Sequence, residues 1–369
     1  MDPIILDSTE ENNILTFTIS NINISYANAI RRVILSDIPT VVFRTTPHNK
    51  NDAAFEINTC RLNNEILKQR LSCIPIHIND LDMPLKDYIV EIDVFNNTDK
   101  MLYVTTADFK IKNIITDKYL NNDKVKEIFP PNNITKQYID LCRLRPKISD
   151  NILGEHLKLS CLFSIGTAKE NGSFNIVSTC TYRNTPDYIK IEELYSAKED
   201  ELKLKYEKQS DIKYHLQDWR NLDAKRICVE NSVDFKIETI GVYSNIEIVT
   251  IAINNIIDRL TKIIEIYSSQ NNLIINSEST IENSFDIILE NEDYTIGKIL
   301  EYTLYETYYV NNKSLTYCGF RKPHPHINIS IIRLGFKDKT EKNIAVEYIN
   351  NAANISIQYY KKLLHLFNK

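Results

Sequence analysis

The sequence predicts an α+β protein that uses one structural unit twice, and three observations carry that prediction. A strand, a short helix, further strands and a long amphipathic helix succeed one another across residues 13–267, and the same order returns in compressed form across 284–367. Strand-like runs dominate residues 45–183, and between 192 and 225 the composition turns to alternating Glu and Lys. The expected architecture is two modules paired within one chain, each an antiparallel sheet with two helices, the first interrupted by a mostly β insert. In residue terms the first module takes 1–44 and 226–270, the insert and charged connector take 45–225, and the second module takes 271–369.

Residues 13–24, NILTFTISNINI, alternate apolar and polar side chains as a half-buried strand does. SYANAIRRVILSDIPT then reads as a helix with Ser25 at its N-cap. At about 100° per residue, Ala27, Ile30, Ile34 and Ile38 share one face while Asn28, Arg32 and Ser36 share another, with Arg31 at its edge. Pro39 ends it. VVFRTT, YIVEIDVFN and MLYVTTADFKI are the strand runs of the insert, separated by turn-forming Asn, Asp and Pro. The Glu/Lys stretch reads as a solvated connecting segment. After the strand SVDFKIETIGVY, the residues Ile246, Val249, Ile253, Ile256, Leu260, Ile263 and Tyr267 recur at three-four spacing, the mark of a packing helix. A polar linker, SSQNNLIINSESTIEN, leads to the strand SFDIILENE. EDYTIGKILEYTLYETYYV is helical, capped by Asp293, with Ile296, Ile299, Leu300, Thr303 and Leu304 on one side. The last helix, from about residue 340 to 367, carries Val346, Ile349, Ala353, Tyr360, Leu363 and Phe367, with Ser356 in the same stripe.

Composition excludes several function classes. Hydrophobic residues at 43% and charged residues at 25% fit a folded protein without a membrane span, and 369 residues suit two or three domains. The net charge of −5 disfavours a protein whose main task is to neutralise phosphates, so little or no direct DNA contact is expected. A stand-alone nucleic-acid-binding module on the lysines near 192–226 is the alternative, but glutamates match those lysines. No phosphate-cradling glycine loop, nucleophile elbow or HExxH motif is present, which removes the support for an enzyme. Cys60, Cys73, Cys142, Cys161, Cys180, Cys228 and Cys318 are scattered and odd in number, which favours reduced thiols inside a cell.

NISYANAIRRVILSDIPTVVF resembles the first helix of the alpha family of RNA polymerase assembly proteins, which includes bacterial alpha, its archaeal D-type counterpart and the third-largest subunit of eukaryotic polymerase II. RLNNEILKQRLSCIPIHI, FNNTDKMLYVTTADFKI, LCRLRPKI and FKIETIGVYSNIEIVTIAINNIIDRL extend the resemblance. In the second half, ENEDYTIGKILEYTLYE and YCGFRKPHPHINISIIRL resemble the archaeal L-type counterpart and the smallest alpha-like partner of polymerase II. These partners are separate chains in cells, and a fused version resembles the subunit of the nucleocytoplasmic large DNA viruses. That likeness implies a soluble intracellular protein of virion and host cytoplasm.

The resemblance implies a non-catalytic platform that docks the two largest polymerase subunits and a small assembly subunit, with intramolecular pairing in place of a heterodimer. Asn28, Arg31 and Arg32, together with Gly319, Arg321, Pro323, His324 and Pro325 of the GFRKPHPH segment, become the docking residues, their polar groups open to a partner. Module pairing falls to Ile246, Val249, Ile253, Ile256, Leu260 and Ile263 of one long helix and Val346, Ile349, Ala353, Tyr360 and Leu363 of the other. Two histidines two apart, His324 and His326, do not make a metal site without further ligands. Some relatives carry a clustered-cysteine zinc loop after the segment matching RLSCIPIHI, where this chain reads NDLDMPLKDY. Metal analysis of the dialysed protein is therefore expected to find no stoichiometric zinc, and one zinc per chain would contradict the reading of that loop.

Overall fold

The computed structural model describes residues 2–149, 151–269, 271–278 and 280–367. In chain order, β1 (Ile4–Glu11) and β2 (Ile14–Ser20) precede α1 (Ile24–Ser36). Then come β3 (Thr40–Val42), β4 (Ala53–Asn58), α2 (Asn64–Ser72), β5 (Tyr88–Phe95), β6 (Leu102–Thr105), β7 (Lys110–Asn113) and β8 (Lys118–Tyr119). α3 (Asn122–Ile128), β9 (Asp140–Leu144), β10 (His156–Leu162), β11 (Ser164–Gly166) and β12 (Val177–Pro186) lead to α4 (Tyr188–Lys205) and α5 (Gln209–Asn221). β13 (Cys228–Thr239) feeds the long α6 (Asn245–Ser269). The rest is β14 (Ile274–Asn276), β15 (Ser284–Glu290), α7 (Tyr294–Leu304) with a π-helical continuation (Tyr305–Asn311), β16 (Leu315–Arg321), β17 (Ile329–Phe336) and α8 (Lys342–Phe367).

Two compact units result, one from Met1–Val33, Thr179–Glu238 and Val249–Lys369, the other from Ile34–Ser178 and Thr239–Ile248. The boundaries differ from those expected. Residues 179–225 belong with the larger unit because β12 is the edge neighbour of β13, whereas 239–248 belong with the smaller one. There Ile240 donates its N–H to the Ile176 carbonyl at 3.2 Å and Tyr243 its hydroxyl to the Pro39 carbonyl at 2.9 Å.

The larger unit holds two four-stranded sheets, ordered β1-β2-β13-β12 and β14-β15-β17-β16. In the first, Leu15, Phe17 and Ile19 turn inward opposite Ile237, Phe235 and Val233, and the rings of Phe17 and Phe235 stack 5.2 Å apart. The alternation read from residues 13–24 thus forms a strand, but only to Ser20. Its last residues start the helix instead. Asn23 caps α1 in place of Ser25, accepting the Ser25 N–H on Oδ1 at 2.8 Å while its carbonyl accepts from Ala27.

Four further elements were not legible in the sequence. β1 is an edge strand whose residues are mostly exposed, so no apolar alternation marks it. The linker contains β14, which pairs with β15. The charged connector is a pair of helices, the first laced on its wet face by Lys198–Glu201, Lys203–Glu199 and Lys205–Glu201 bridges and the two meeting at Tyr195 and Trp219. Few of its side chains are buried, which is why its composition showed no helical stripe.

The smaller unit is built on a five-stranded sheet, β4-β10-β5-β7-β8, with the pairs β6-β9 and β3-β11 beside it. It is mostly β, as the sequence suggested, yet α2 and α3 close its core. Asn63 caps α2 by accepting the Ile66 N–H, and Arg70 near its end donates to the carbonyls of Asp140 and Leu141. At the centre Phe43 is fully buried, its ring 5.6 to 6.4 Å from those of Phe163, Phe129 and Phe109. Truncating a ring so enclosed costs about 3–5 kcal/mol. Phe43→Ala is expected to lower the unfolding temperature, with hydrogen exchange accelerating first across β5 and β10; unchanged protection there would contradict this core.

Candidate intramolecular interface

α6 and α8 are long helices whose apolar faces are buried inside the larger unit. Val249, Ile253, Ile256, Leu260 and Ile263 of α6 are buried, as are Ile349, Ala353, Tyr360 and Leu363 of α8. Each helix reaches past its own sheet. Tyr267, near the end of α6, donates its hydroxyl to the Ile288 carbonyl in β15, 2.5 Å away. Reciprocally, Phe367 at the end of α8 sets its ring edge-on to Phe17 in β2, and Tyr359 donates to the Asn21 carbonyl at 2.8 Å.

Where the helices meet α1 and α7, four hydroxyls are sealed from water. Tyr26 Oη lies 2.7 Å from Thr303 Oγ1 and 2.9 Å from Ser356 Oγ, and the latter two are 3.1 Å apart. Thr303 and Ser356 also donate to the carbonyls of Ile299 and Ala352 one turn back, and Tyr360 donates to the Tyr26 carbonyl at 3.0 Å. Burial pushes the Tyr26 phenol up despite the bonds to Ser356 and Thr303, and pushes the Tyr360 phenol well above the ordinary range. Both stay protonated. A polar residue in the stripe of α8, Ser356, is thus a hydrogen-bonding partner for a tyrosine 330 residues away.

Two arginines meet two consecutive carboxylates at the start of α7. Arg259 of α6 makes a two-pronged pair with Glu292, with only 16% and 14% of the two side chains exposed. Arg32 of α1 donates to Asp293 Oδ2 at 2.8 Å and to Thr295 Oγ1 at 2.9 Å. Asp293 also caps α7, accepting the Thr295 N–H at 2.8 Å. Burial works to raise the Asp293 pKa, but the Thr295 hydroxyl and N–H and the charges of Arg32 and Arg259 outweigh it and hold the carboxyl below its usual value. Gly297, one turn on, is obligatory for packing: a Cβ there would lie 2.0 Å from the Phe320 ring.

The docking residues read from the sequence fall in different settings. Arg32 is the clear correction, since its guanidinium is committed within the chain rather than open to a partner. The helical phase places it toward Asp293, on a face that is polar yet internal to the unit. Asn28 is half-buried and accepts both Arg31 Nε and Nη2 on its side-chain oxygen, which holds the Arg31 fork in place. Gly319 and the exposed Arg321 lie within β16, while Pro323, His324 and Pro325 are exposed in the segment that follows. That segment is braced by its own bonds, from Lys322 Nζ to the Ile327 carbonyl and from the His326 N–H to His324 Nδ1. Of the pairing residues, Ile246 is 44% exposed in the first turn of α6, and Val346 is half-buried where Ala345 faces inward. Among the described residues no three His, Cys, Asp or Glu side chains converge as metal ligands. Tyr26, Arg259 and Glu292 were missed; the only signal for them was the acidic doublet 292–293 and the presence of basic residues on helices otherwise read for their apolar stripes.

Residues 16–260 match the model of the RNA polymerase Rpb3/Rpb11 dimerisation domain. Over 216 residues the chain is 25% identical to DNA-directed RNA polymerases IV and V subunit 3B of Arabidopsis thaliana, covering 51% of this chain and 59% of that protein. It is 25% identical over 172 residues to the DNA-directed RNA polymerase subunit Rpo3 of Methanosphaera stadtmanae, covering 46% and 57%. With human DNA-directed RNA polymerases I and III subunit RPAC1 it shares 26% over 220 residues, covering 52% and 57%. The chain spans less than two thirds of the length of these relatives.

The two ion pairs should differ in worth. Arg259→Ala leaves a buried Glu292 without its guanidinium and is expected to cost about 3–5 kcal/mol, against about 1–2 kcal/mol for the more exposed Arg32→Ala. Denaturant titration of both variants checks the order, which equal losses would overturn.

Proposed function

The chain belongs to the RNA polymerase Rpb3/Rpb11 dimerisation-domain family, and on that premise we propose that it is a non-catalytic assembly subunit of a multisubunit DNA-directed RNA polymerase. One polypeptide supplies both halves of the dimerisation platform, residues 271–369 standing where a separate partner chain would otherwise be. The observation that carries this reading is the reciprocal engagement of the two halves: Arg32 and Arg259 on Asp293 and Glu292, Tyr26 on Thr303 and Ser356, and Tyr267 on Ile288. Buried, hydrogen-bonded polar groups of this kind fix register as well as association.

The platform docks the two largest polymerase subunits and a small assembly subunit. Arg31, presented by Asn28, and the exposed segment with Arg321, Pro323, His324 and Pro325 supply the docking contacts, while Arg32 acts inside the platform. A guanidinium held as a preset fork loses little freedom on meeting a carboxylate, which suits Arg31 to that task. The fused arrangement favours a large DNA virus as source, and no described helix is long and apolar enough to cross a membrane.

Affinity capture of the full chain followed by mass spectrometry is expected to bring two very large polymerase subunits with it. The double variant Arg31→Ala, Arg321→Ala should weaken their capture by roughly 30-fold or more, the effect of about 2 kcal/mol or more lost at an interface, while moving the melting temperature little. Capture at the wild-type level would remove these two arginines from the docking surface.

A further inference from the structure

A cleft of about 650 Å³ opens beside the Tyr26 hydroxyl cluster, wholly within the larger unit. Its lining includes Tyr26, Tyr302 and Tyr359, whose rings adjoin with Tyr26–Tyr302 and Tyr26–Tyr359 centroids 5.9 and 4.8 Å apart. Two of its charges cancel, since Lys362 Nζ lies 2.5 Å from Asp2 Oδ1. The third does not. Glu306 is half-buried in the π-helical turn Tyr305–Asn311 and has no cationic partner among the described residues. Its charge bears on Tyr302, whose phenol is pushed up first by burial and then by Glu306.

The chemistry missing from this cleft is a cation. A helix ends here, so the carbonyls of its last turn add partial negative charge to that of Glu306. Glu306 is the one carboxylate of the lining without a lysine, too few hard ligands to hold a divalent metal. Tyrosine faces beside a carboxylate instead suit a planar guanidinium, which stacks on a ring and bonds a carboxylate with two parallel N–H groups. Around it, the exposed carboxamides of Asn231, Asn311 and Gln358 make no side-chain hydrogen bond among the described residues. A carboxamide both donates and accepts, as a peptide group does, so the rim matches a length of polypeptide.

We propose that this cleft receives an arginine side chain from a partner polypeptide, its guanidinium against the Glu306 carboxylate and the Tyr302 ring, with flanking peptide groups on Asn231, Asn311 and Gln358. The source of that polypeptide, another subunit of the polymerase, rests on the function proposed above. The test uses the full chain with 13C-labelled tyrosine rings, titrated with N-acetyl-arginine methylamide and, separately, with its neutral analogue N-acetyl-citrulline methylamide. The arginine probe should shift the Tyr302 and Tyr359 resonances saturably, the citrulline probe should not, and Glu306→Gln should weaken arginine binding roughly tenfold, as loss of one charge-assisted pair does. Gln is isosteric with Glu, and unchanged Tyr267 resonances would show the variant folded. Equal binding of both probes, no saturable shift, or undiminished affinity in Glu306→Gln would overturn the proposal. The probe needs no other polymerase component: a chain that binds it but captures no large subunit refutes the assembly reading alone, and one that captures both but ignores the probe refutes the cleft alone.

Discussion

The larger unit depends on one constraint: α6 and α8 each carry an apolar face longer than one sheet can cover. Each fully buried large side chain contributes about 1.5–3 kcal/mol over leaving it wet, so helices of 25 and 26 residues cannot leave such stripes in solvent. Their tails resolve the problem reciprocally. Tyr267 carries the end of α6 to β15, and Phe367 carries the end of α8 to Phe17 of β2. Through these contacts each long helix touches a strand of the other four-stranded sheet.

Apolar burial alone does not fix how far one helix slides along another, and here the polar groups decide. Tyr26, Thr303 and Ser356 can satisfy one another only at one register of α1, α7 and α8. The carboxylates 292 and 293 add two fixed points on α6 and α1. A buried ion pair gives little net stability compared with a well-packed apolar pair, but breaking it is costly, so it penalises every other alignment. The segment EDYTIG, residues 292–297, is thereby accounted for at four positions: Glu292 meets Arg259, Asp293 caps α7 and meets Arg32, Thr295 accepts from Arg32, and Gly297 makes room for Phe320.

The smaller unit is organised differently, around a five-stranded sheet and an aromatic cluster at Phe43, with the buried Asn96 and the Arg145–Glu155 pair as its polar fixings. Its helices are short and its buried residues come from many strands.

The sequence by itself determined the repeated order of elements, the apolar stripes of α1, α6, α7 and α8, the mostly β character of the middle of the chain and the family resemblance, because periodicity and local caps are properties of neighbours along the chain. β1 and β14 escaped it because an exposed edge strand and a three-residue strand carry no alternation, and α4 and α5 escaped it because charge pairs along a wet helix look like a solvated connector. Only the tertiary structure decided what the polar residues on those helices do. Arg32 reads as a docking residue open to a partner until Asp293, 261 residues away, is brought within 2.8 Å, and Ser356 reads as a gap in a stripe until Tyr26 arrives to fill its hydrogen bond. Partners so far apart in sequence leave no local trace, since only the folded chain brings them together.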